Sequence, residues 1–221
     1  MQTMLVIAHR GFHAAVPENT LAAFGAAVAL GVNGIETDVR ISRDGLPLLI
    51  HNRVIASGQA VADLTHDEIE QVLGHKVPTL DEALECFPEI LWNIEIKTTQ
   101  ALPLVIGVLK KYQVGHRILV TSFRHDVVAV CASSLQMDCG LLVAHRPQIL
   151  ASLLAGCEGN PRIDHIVWDY NILDEVLLQQ AAADGFRNFV YGPVTQAEHR
   201  NCQELGIDGV ITDYPLLAQG A

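Results

Sequence analysis

Short apolar runs alternate with longer stretches of helical periodicity along the whole chain, and this alternation limits the possible folds more than any other feature. The runs predict eight strands, at Leu5–His9, Gly34–Val39, Leu91–Lys97, Ile118–Ser122, Cys139–Val143, His165–Asp169, Arg187–Tyr191 and Asp208–Thr212. The intervening stretches predict helices near residues 20–30, 66–73, 79–87, 100–112, 124–134, 147–154, 173–184 and 195–205. Because at least one helix follows every strand, we expect parallel strands joined by helical crossovers.

Eight such units in a chain of 221 residues predict an α/β fold that closes into a (β/α)8 TIM barrel. A doubly wound open sheet is the alternative, but no Gly-rich phosphate loop follows the first strand. No linker or repeat interrupts the chain, so we expect a single domain over residues 1–221. Half of the residues are hydrophobic and 18% are charged, a composition that supports a large core and excludes intrinsic disorder.

Acidic residues outnumber basic ones by 25 to 14, which gives a formal net charge of −11. This charge argues against nonspecific binding to nucleic acid or to an anionic membrane, since both need clustered Lys and Arg. The N-terminal residues lack a basic leader and no apolar run is long enough to span a bilayer, so we expect a cytoplasmic protein. The cysteines are scattered without metal-ligand spacing, which is typical of reduced thiols: Cys86, Cys131, Cys139, Cys157 and Cys202.

A hairpin extends the second strand. The strand continues to Ser42, meets Arg43-Asp44-Gly45 and returns as the apolar run Leu46–His51. An Asp-Gly pair between two such runs is a strong signal for a two-residue turn. That turn pairs Arg43 with Leu46, and counting along the ladder then places His51 opposite Asp38.

Carboxylates on two predicted strands point to the same side. Side chains alternate along a strand, so Glu36 and Asp38 share one face and, in the third strand, Asn93, Glu95 and Lys97 share one face. The apolar residues between them, Ile35, Val39, Trp92, Ile94 and Ile96, would face the outer helices. Adjacent strands lie ~4.8 Å apart, so Glu95 should lie close to Glu36 and Asp38.

Three carboxylates in a half-buried site repel one another, by about 4 kcal/mol for each pair at ~4 Å and an effective dielectric near 20. Lys97 offsets only part of this repulsion. A divalent cation would remove it, and an all-oxygen ligand set suits a hard ion such as Mg²⁺ or Ca²⁺, with Mn²⁺ as a further candidate. The ordinary alternative for a Glu-x-Asp pattern is an amphipathic strand with its polar face in solvent; the second polar strand and His51 favour the metal site.

Two histidines flank this acidic cluster. His9 ends the first strand, where the C-terminal face of a barrel carries its active site, and Arg10 follows it. His51 arrives through the hairpin. Together these residues predict phosphodiester cleavage. Arg10 and Lys97 offer positive charge to a phosphate, the metal would bind the phosphate oxygens, and the two histidines titrate near neutrality.

The sequence resembles the glycerophosphodiester phosphodiesterase family over nearly its whole length, through short strings that occur together in the family's order. These are Ala8-His9-Arg10-Gly11, Pro17-Glu18-Asn19-Thr20 with Ala23-Phe24, Gly34–Val39, Asp44-Gly45 leading to His51, Pro78-Thr79-Leu80, Asn93–Lys97, Ser122-Phe123 and Gly209–Pro215. The resemblance implies a TIM-barrel hydrolase that cleaves deacylated phospholipids to sn-glycerol 3-phosphate and an alcohol.

The resemblance also implies roles for individual residues. Glu36, Asp38 and Glu95 become ligands of one divalent cation, and Arg10 and Lys97 become phosphate contacts. His9 and His51 become the general acid/base pair; we take His9 as the base and His51 as the acid, and the sequence leaves the reverse assignment open. Phe123 and Tyr191 lie at predicted strand ends, where they either line the substrate pocket or belong to the core.

Three departures from the family pattern affect the expected pocket. Asn52 follows His51 where the family usually has Asp, and residues 52–78 form a shorter version of the insertion that usually caps the site. Tyr191-Gly192-Pro193-Val194 replaces the usual Trp-Thr-Val-Asn, which predicts a different preference for the leaving group.

We expect Asn19 or Thr20 mainly to cap a helix. We expect Asp213 to cap or brace the barrel rim near the first strand, with a role behind the catalytic residues as the less favoured alternative.

The leading functional prediction is therefore metal-dependent hydrolysis of a small-molecule glycerophosphodiester. A lysophospholipid or another phosphodiester on the same site is the second reading, although no amphipathic membrane helix is evident in the sequence. A catalytically weakened binding protein is the third, and the retention of three carboxylates and two histidines speaks against it.

Overall fold

The alternating segments fold as predicted into a closed barrel of eight parallel strands. The computed structural model describes residues 3–100, 102–157 and 159–220. Its strands are β1 (Leu5–His9), β2 (Gly34–Ile41), β3 (Pro47–Leu49), β4 (Leu91–Ile96), β5 (Arg117–Ser122), β6 (Asp138–Val143), β7 (Ile163–Asp169), β8 (Arg187–Tyr191) and β9 (Gly209–Thr212). They pair in the order β1-β9-β8-β7-β6-β5-β4-β2, the additional β1–β2 pairing closes the barrel, and β3 runs antiparallel to β2 at its side.

Helices pack around the barrel close to their predicted positions. They are α1 (Leu21–Ala29), α2 (His66–Leu73), α3 (Leu80–Cys86), α4 (Leu102–Leu109), α5 (His125–Ser134), α6 (Leu150–Leu154), α7 (Glu175–Ala183), α8 (Gln196–Glu204) and, not predicted from the sequence, α9 (Pro215–Gln219). Capping boxes at Thr65, Thr79 and Thr195 begin α2, α3 and α8. Helix α6 starts later than predicted because Ile149 has an extended backbone, with φ −142° and ψ 151°, and forms the N-cap. Part of the helix predicted near 100–112 falls on Ala101, which lies outside the described residues.

The strand periodicity separates two apolar regions. Outward-facing residues of the strands pack under the helices in the main core, and they include the predicted Ile35, Val39, Trp92, Ile94 and Ile96. Inward-facing residues form an apolar plug inside the barrel: Ile7, Leu119, Leu142, Val167, Phe189 and Ile211. Because this plug fills the axis, the polar inward side chains of β2 and β4 collect above it.

The hairpin register predicted from Asp44-Gly45 is wrong by one residue. Ile41 pairs with Pro47 and Val39 with Leu49, so Ile50 rather than His51 lies opposite Asp38 and donates its N–H to the Asp38 carbonyl at 3.0 Å. The turn contains three residues, Arg43–Gly45, closed by the pairing of Ser42 with Leu46, and Gly45 takes the left-handed φ of 82° that such a turn requires.

The hairpin and the segment that follows it build a second, smaller apolar cluster beside the barrel mouth. Its members are Leu48, Ile50, Ile55, Val61, Leu64, Ile69 and Val77. The predicted short insertion at 52–78 therefore has packing of its own, which fixes the segment that follows His51. In the part of the chain that the structure describes, every helix is too short or too polar to cross a membrane.

Candidate active site

A tight turn after β1 aims His9 and Arg10 into the barrel mouth. Arg10 has a left-handed φ of 56°, and Gly11 follows with φ 79°. A Cβ on Gly11 would lie 2.7 Å from the backbone carbon of Ala23, so this position requires glycine. The Phe12 N–H donates to the Ala23 carbonyl at 2.9 Å and ties the turn to α1.

The predicted acidic cluster forms above the apolar plug. Parallel pairing of β2 with β4 places Asp38 beside Glu95 and Glu36 beside Asn93. Glu36, Asp38 and Glu95 are all buried, and one carboxylate oxygen of each lies within 4.8 Å of the others. This arrangement, three oxygen donors converging from two strands, has the chemistry of a site for a hard divalent cation.

Two cations partly balance these carboxylates. Lys97 Nζ lies 2.7 Å from Glu95 Oε1 and 3.0 Å from Asp38 Oδ1. Arg10 Nε lies 3.3 Å from Asp38 Oδ2, while Nη1 of the same guanidinium donates to both oxygens of Glu18 at 3.0 Å. The Arg10 charge is thus shared with a fourth carboxylate, and the cluster retains an excess of negative charge.

The burial and charge of the cluster perturb its pKa values in different directions. Burial, reinforced by Asp38 and Glu95, raises the pKa of Glu36 well above its ordinary value. Burial also raises the pKa of Glu95, although Lys97 opposes the shift. At Asp38 the effect of burial is outweighed by Lys97 and Arg10, which lower its pKa. The metal-free site therefore disfavours the charge of Glu36 most strongly.

Asn19 has a different role from the predicted helix cap. Thr20 is the cap of α1, since its hydroxyl accepts the Ala23 N–H at 3.2 Å. Asn19 is buried with φ 56°, and its Nδ2 donates to Asp38 Oδ2 at 3.0 Å while its Oδ1 accepts from Thr37 at 2.7 Å. Asn19 therefore orients a carboxylate of the cluster, which helix-start statistics could not indicate.

His51 reaches the site despite the shifted register, because the chain leaves β3 after Leu49. Its Nδ1 lies 3.1 Å from Asn52 Oδ1, and Arg40 Nε donates to its backbone carbonyl at 2.7 Å. Burial lowers the pKa of His51, although Asp38 opposes the shift, and the charges of Lys97 and Arg10 lower it further.

His9 has a charged partner on the opposite side of the barrel mouth. Its Nδ1 lies 2.7 Å from Asp213 Oδ1, and its Nε2 lies 3.8 Å from Glu36 Oε2. His13 Nε2 lies 3.1 Å from the same Asp213 oxygen. Burial acts against the charge of Asp213, but its contacts with His9 and His13 prevail and lower the pKa of Asp213 to about 2. Asp213 does brace the rim near β1, as predicted, and it does so through His9.

The predicted residues converge on one cavity of about 230 Å³ at the barrel mouth. Its lining consists of His9, Arg10, Glu36, His51, Asn93, Glu95, Lys97, Thr121, Phe123, Leu142, Tyr191 and Ile211. Asp38 lies fully buried next to this lining. Phe123 and Tyr191 meet edge to face with their ring centroids 5.8 Å apart, and Lys97 Nζ lies 5.9 Å from the Phe123 centroid. The structure thus brings together all nine residues that the sequence proposed for the site.

The sequence did not single out four polar residues of the same region as functional. Glu18 and Asn19 hold Arg10 and Asp38, and Asp213 holds His9. Thr121 lines the cavity floor and donates to Asn93 Oδ1 at 3.0 Å. Glu18 and Asn19 stand in a quoted family string, so their position was available from the sequence, but their partners depend on the fold.

Comparisons with known proteins agree on one family. Residues 9–217 match the glycerophosphoryl diester phosphodiesterase family. A glycerophosphodiester phosphodiesterase of Caldanaerobacter subterraneus subsp. tengcongensis is 32% identical over 239 residues, which cover 96% of this chain and 94% of the relative. The crystal structure of a glycerophosphodiester phosphodiesterase from Thermotoga maritima superposes with a TM-score of 0.87 at 27% identity, covering 100% of both chains. An Oleispira antarctica phosphodiesterase, solved in complex with the product sn-glycerol-3-phosphate, shares the fold with a TM-score of 0.84 at 23% identity, covering 98% of this chain and 95% of that chain.

Proposed function

The chain belongs to the glycerophosphoryl diester phosphodiesterase family and is an enzyme of that class, and on that premise we propose that it hydrolyses glycerophosphodiesters to sn-glycerol 3-phosphate and an alcohol in a reaction that depends on one divalent cation. The observation that carries the proposal is the convergence of three buried carboxylates, two cations and two histidines on one cavity. A phosphodiester needs positive charge for its oxygens and proton transfer at two positions, and these residue types can supply both.

The donor set fits a hard divalent cation. Glu36, Asp38 and Glu95 offer three oxygens within 4.8 Å of one another in a buried site. Burial and the charges of Asp38 and Glu95 raise the pKa of Glu36, and Lys97 and Arg10 offset only part of this shift. Mg²⁺, Ca²⁺ and Mn²⁺ all accept such oxygen ligands. When bound, the ion supplies positive charge that polarises the phosphoryl group and lowers the cost of charge in the transition state.

Arg10 and Lys97 are the proposed phosphate contacts. Both line the cavity, and both are held beside the carboxylates by short ion pairs. Burial opposes the charge of the Lys97 ammonium, but Asp38 and Glu95 prevail and raise its pKa, so Lys97 stays protonated through the neutral range. Arg10 also remains charged, and a planar guanidinium is suited to two phosphoryl oxygens at once.

His9 and His51 are the proposed proton-transfer groups, with His9 as base and His51 as acid. His9 Nε2 takes the O–H proton of the nucleophile, whose oxygen forms the new bond to phosphorus. The bond from phosphorus to the alcohol oxygen breaks, and that oxygen takes a proton from His51. The nucleophile is water, or a glycerol hydroxyl whose cyclic phosphate is then opened by water; exchange with solvent restores both histidines.

The aromatic pair forms the proposed substrate wall, and the size of the cavity bears on the substrate class. About 230 Å³ suits a glycerophosphoryl unit. Phe123 is 44% exposed, so one edge of the wall faces the solvent, where the alcohol of the substrate would extend. The size of this cavity therefore supports a deacylated substrate.

The test measures release of sn-glycerol 3-phosphate from glycerophosphocholine and glycerophosphoethanolamine with Mg²⁺, Ca²⁺, Mn²⁺ or EDTA. In parallel it measures release of lysophosphatidic acid and choline from lysophosphatidylcholine micelles. We expect turnover of the deacylated substrates with at least one ion and none in EDTA. Glu36→Gln should lose it, whereas Glu89→Gln, an exposed carboxylate before β4, should keep it. No turnover of any glycerophosphodiester by folded, ion-loaded protein would refute the proposal, and faster turnover of lysophospholipid would replace its substrate class.

A further inference from the structure

Closure of the barrel gives one of the two active-site histidines a carboxylate partner and leaves the other with an amide. His9 Nδ1 lies 2.7 Å from Asp213 Oδ1, whereas His51 Nδ1 lies 3.1 Å from the neutral Asn52 Oδ1. The distances match the difference in chemistry, because hydrogen bonds to a charged acceptor are shorter and stronger than those to a neutral one. The two histidines are therefore not equivalent.

We infer that Asp213 is a positioning residue that fixes the ring of His9 with its proton on Nδ1 and its Nε2 lone pair toward the reacting atoms, and that it thereby makes His9 the base and His51 the acid. The inference rests on the proposed function. His9 Nε2 lies 3.8 Å from Glu36 Oε2, so it is the nitrogen on the side of the carboxylate cluster. A hydrogen bond to one ring nitrogen decides which tautomer the neutral imidazole adopts.

The direction of the proton transfer follows from the partners. A base becomes an imidazolium during the reaction, and a carboxylate on its far nitrogen stabilises that charge. An acid loses its charge, and a neutral amide on its far nitrogen does not oppose the loss. His13 holds Asp213 in place, since its Nε2 lies 3.1 Å from the same oxygen that contacts His9. Asp213 is 43% exposed, so its effect works through this fixed contact and not through deep burial.

Backbone geometry supports the same role. The β1–β9 pairing sets Ala8 beside Thr212, and the next residues, His9 and Asp213, leave the barrel side by side. The Thr212 hydroxyl accepts the Tyr214 N–H at 2.9 Å and is itself bonded by His199 Nε2 at 2.9 Å, which fixes the backbone on both sides of Asp213. The carboxylate is thus delivered to His9 by two rigid strand ends, 204 residues apart in the chain.

The first test uses Asp213→Asn, which removes the charge while keeping the shape, and Asp213→Ala, which removes the acceptor. We expect kcat for glycerophosphocholine to fall by about 10²-fold or more with KM changed by less than about threefold. The exposed Asp126→Asn, which lies in the first turn of α5 and pairs with Arg124, is the matched control and should behave as wild type. Thermal unfolding of each variant separates loss of fold from loss of function.

Two further measurements distinguish action through His9 from a merely structural role. In the ion-free enzyme, ¹⁵N shifts of the His9 ring should report a protonated Nδ1, and Asp213→Asn should mix the tautomers. Combined with His9→Gln, Asp213→Asn should add less than about threefold to the loss, because the two residues act as a unit, whereas combined with His51→Gln the losses should multiply.

The leaving group tests the assignment of acid and base. In a nitrophenyl phosphodiester of glycerol, the leaving group is nitrophenolate, which needs no proton from an acid. The kcat of His51→Gln should therefore fall much less on this ester than on glycerophosphocholine. The kcat of Asp213→Asn should fall by the same factor on both substrates. Three outcomes would each overturn the inference. They are a wild-type kcat in Asp213→Asn, rate losses of Asp213→Asn and His9→Gln that multiply in the double variant, and a kcat of Asp213→Asn that recovers on the nitrophenyl ester. Absence of turnover by the wild type would instead refute the proposed function, so the two failures are distinguishable.

Discussion

Replacing Glu36 by Gln should stabilise the ion-free protein even though it removes a group proposed to be essential. The oxygens of Glu36, Asp38 and Glu95 lie within 4.8 Å of one another. At that distance, each like-charge pair costs about 3.5 kcal/mol at an effective dielectric near 20. Glu36 has two such neighbours, Asp38 and Glu95, and the positive charges of Lys97 and Arg10 offset part of this repulsion. We therefore expect Glu36→Gln to raise the free energy of unfolding in EDTA by about 1–3 kcal/mol.

The sign of the pH dependence follows from the raised pKa of Glu36. Above its ordinary pKa of 4.5, the unfolded protein ionises this carboxyl while the folded protein still holds the proton, so stability falls as pH rises from 4.5 through the folded pKa. Gln does not titrate. The advantage of Glu36→Gln in EDTA should therefore be absent below pH 4.5, grow as the pH rises and level off above the folded pKa.

Addition of the ion should shift the comparison toward the wild type by about 2.3 kcal/mol. At a hundred times its Kd, an ion adds about 2.7 kcal/mol to the wild type, and a variant that binds it a hundredfold more weakly gains only about 0.4 kcal/mol. Urea unfolding of both proteins at pH 5, 6, 7 and 8, in EDTA and in saturating Mg²⁺ or Ca²⁺, measures both effects, with Glu89→Gln as the exposed control. A loss of stability in EDTA would refute the repulsion, and an equal gain from the ion in both proteins would refute Glu36 as a ligand.

Three further variants test other parts of the site. Lys97→Met leaves the buried carboxylates Asp38 and Glu95 without their cation, so it should lower the free energy of unfolding in EDTA by about 3–5 kcal/mol. It should also lower kcat/KM by about 10²-fold or more. Wild-type stability would contradict the role of Lys97 in balancing the carboxylates. The Cβ of Gly11→Ala would lie 2.7 Å from Ala23, so this variant should lower the free energy of unfolding in urea by about 2–4 kcal/mol. Gly31→Ala, at a φ of 72° with open space around it, is the control and should lower it by about 1 kcal/mol. Equal losses in the two variants would contradict the close approach at Gly11. Phe123→Leu should raise KM by about threefold to tenfold with kcat within twofold, and a large fall in kcat would assign Phe123 a role beyond the substrate wall.

The barrel and the carboxylate cluster could be predicted because both depend on short-range patterns. Alternation along β2 and β4 determines which side chains point inward. The parallel pairing of these neighbouring strands then brings Asp38 beside Glu95. The hairpin register could not be predicted in the same way. Asp44-Gly45 indicates a turn, but a two-residue loop needs a positive φ at both residues, whereas a three-residue loop needs it at Gly45 alone. In the structure Gly45 has the positive φ and Asp44 does not, and this difference shifts His51 by one position.

The contacts that the sequence did not reveal are those that exist only once the chain has closed on itself. Asn19 reaches Asp38 because the turn after β1 folds back over β2, and Asp213 reaches His9 because β9 pairs with β1. The second contact follows from a rule that could be applied earlier. In a closed barrel of parallel strands the first and last strands must be neighbours, so the residues just after each strand share one corner of the mouth. A carboxylate after the last strand is then a candidate partner for a histidine after the first, whatever their separation in sequence, and here the separation spans almost the entire chain.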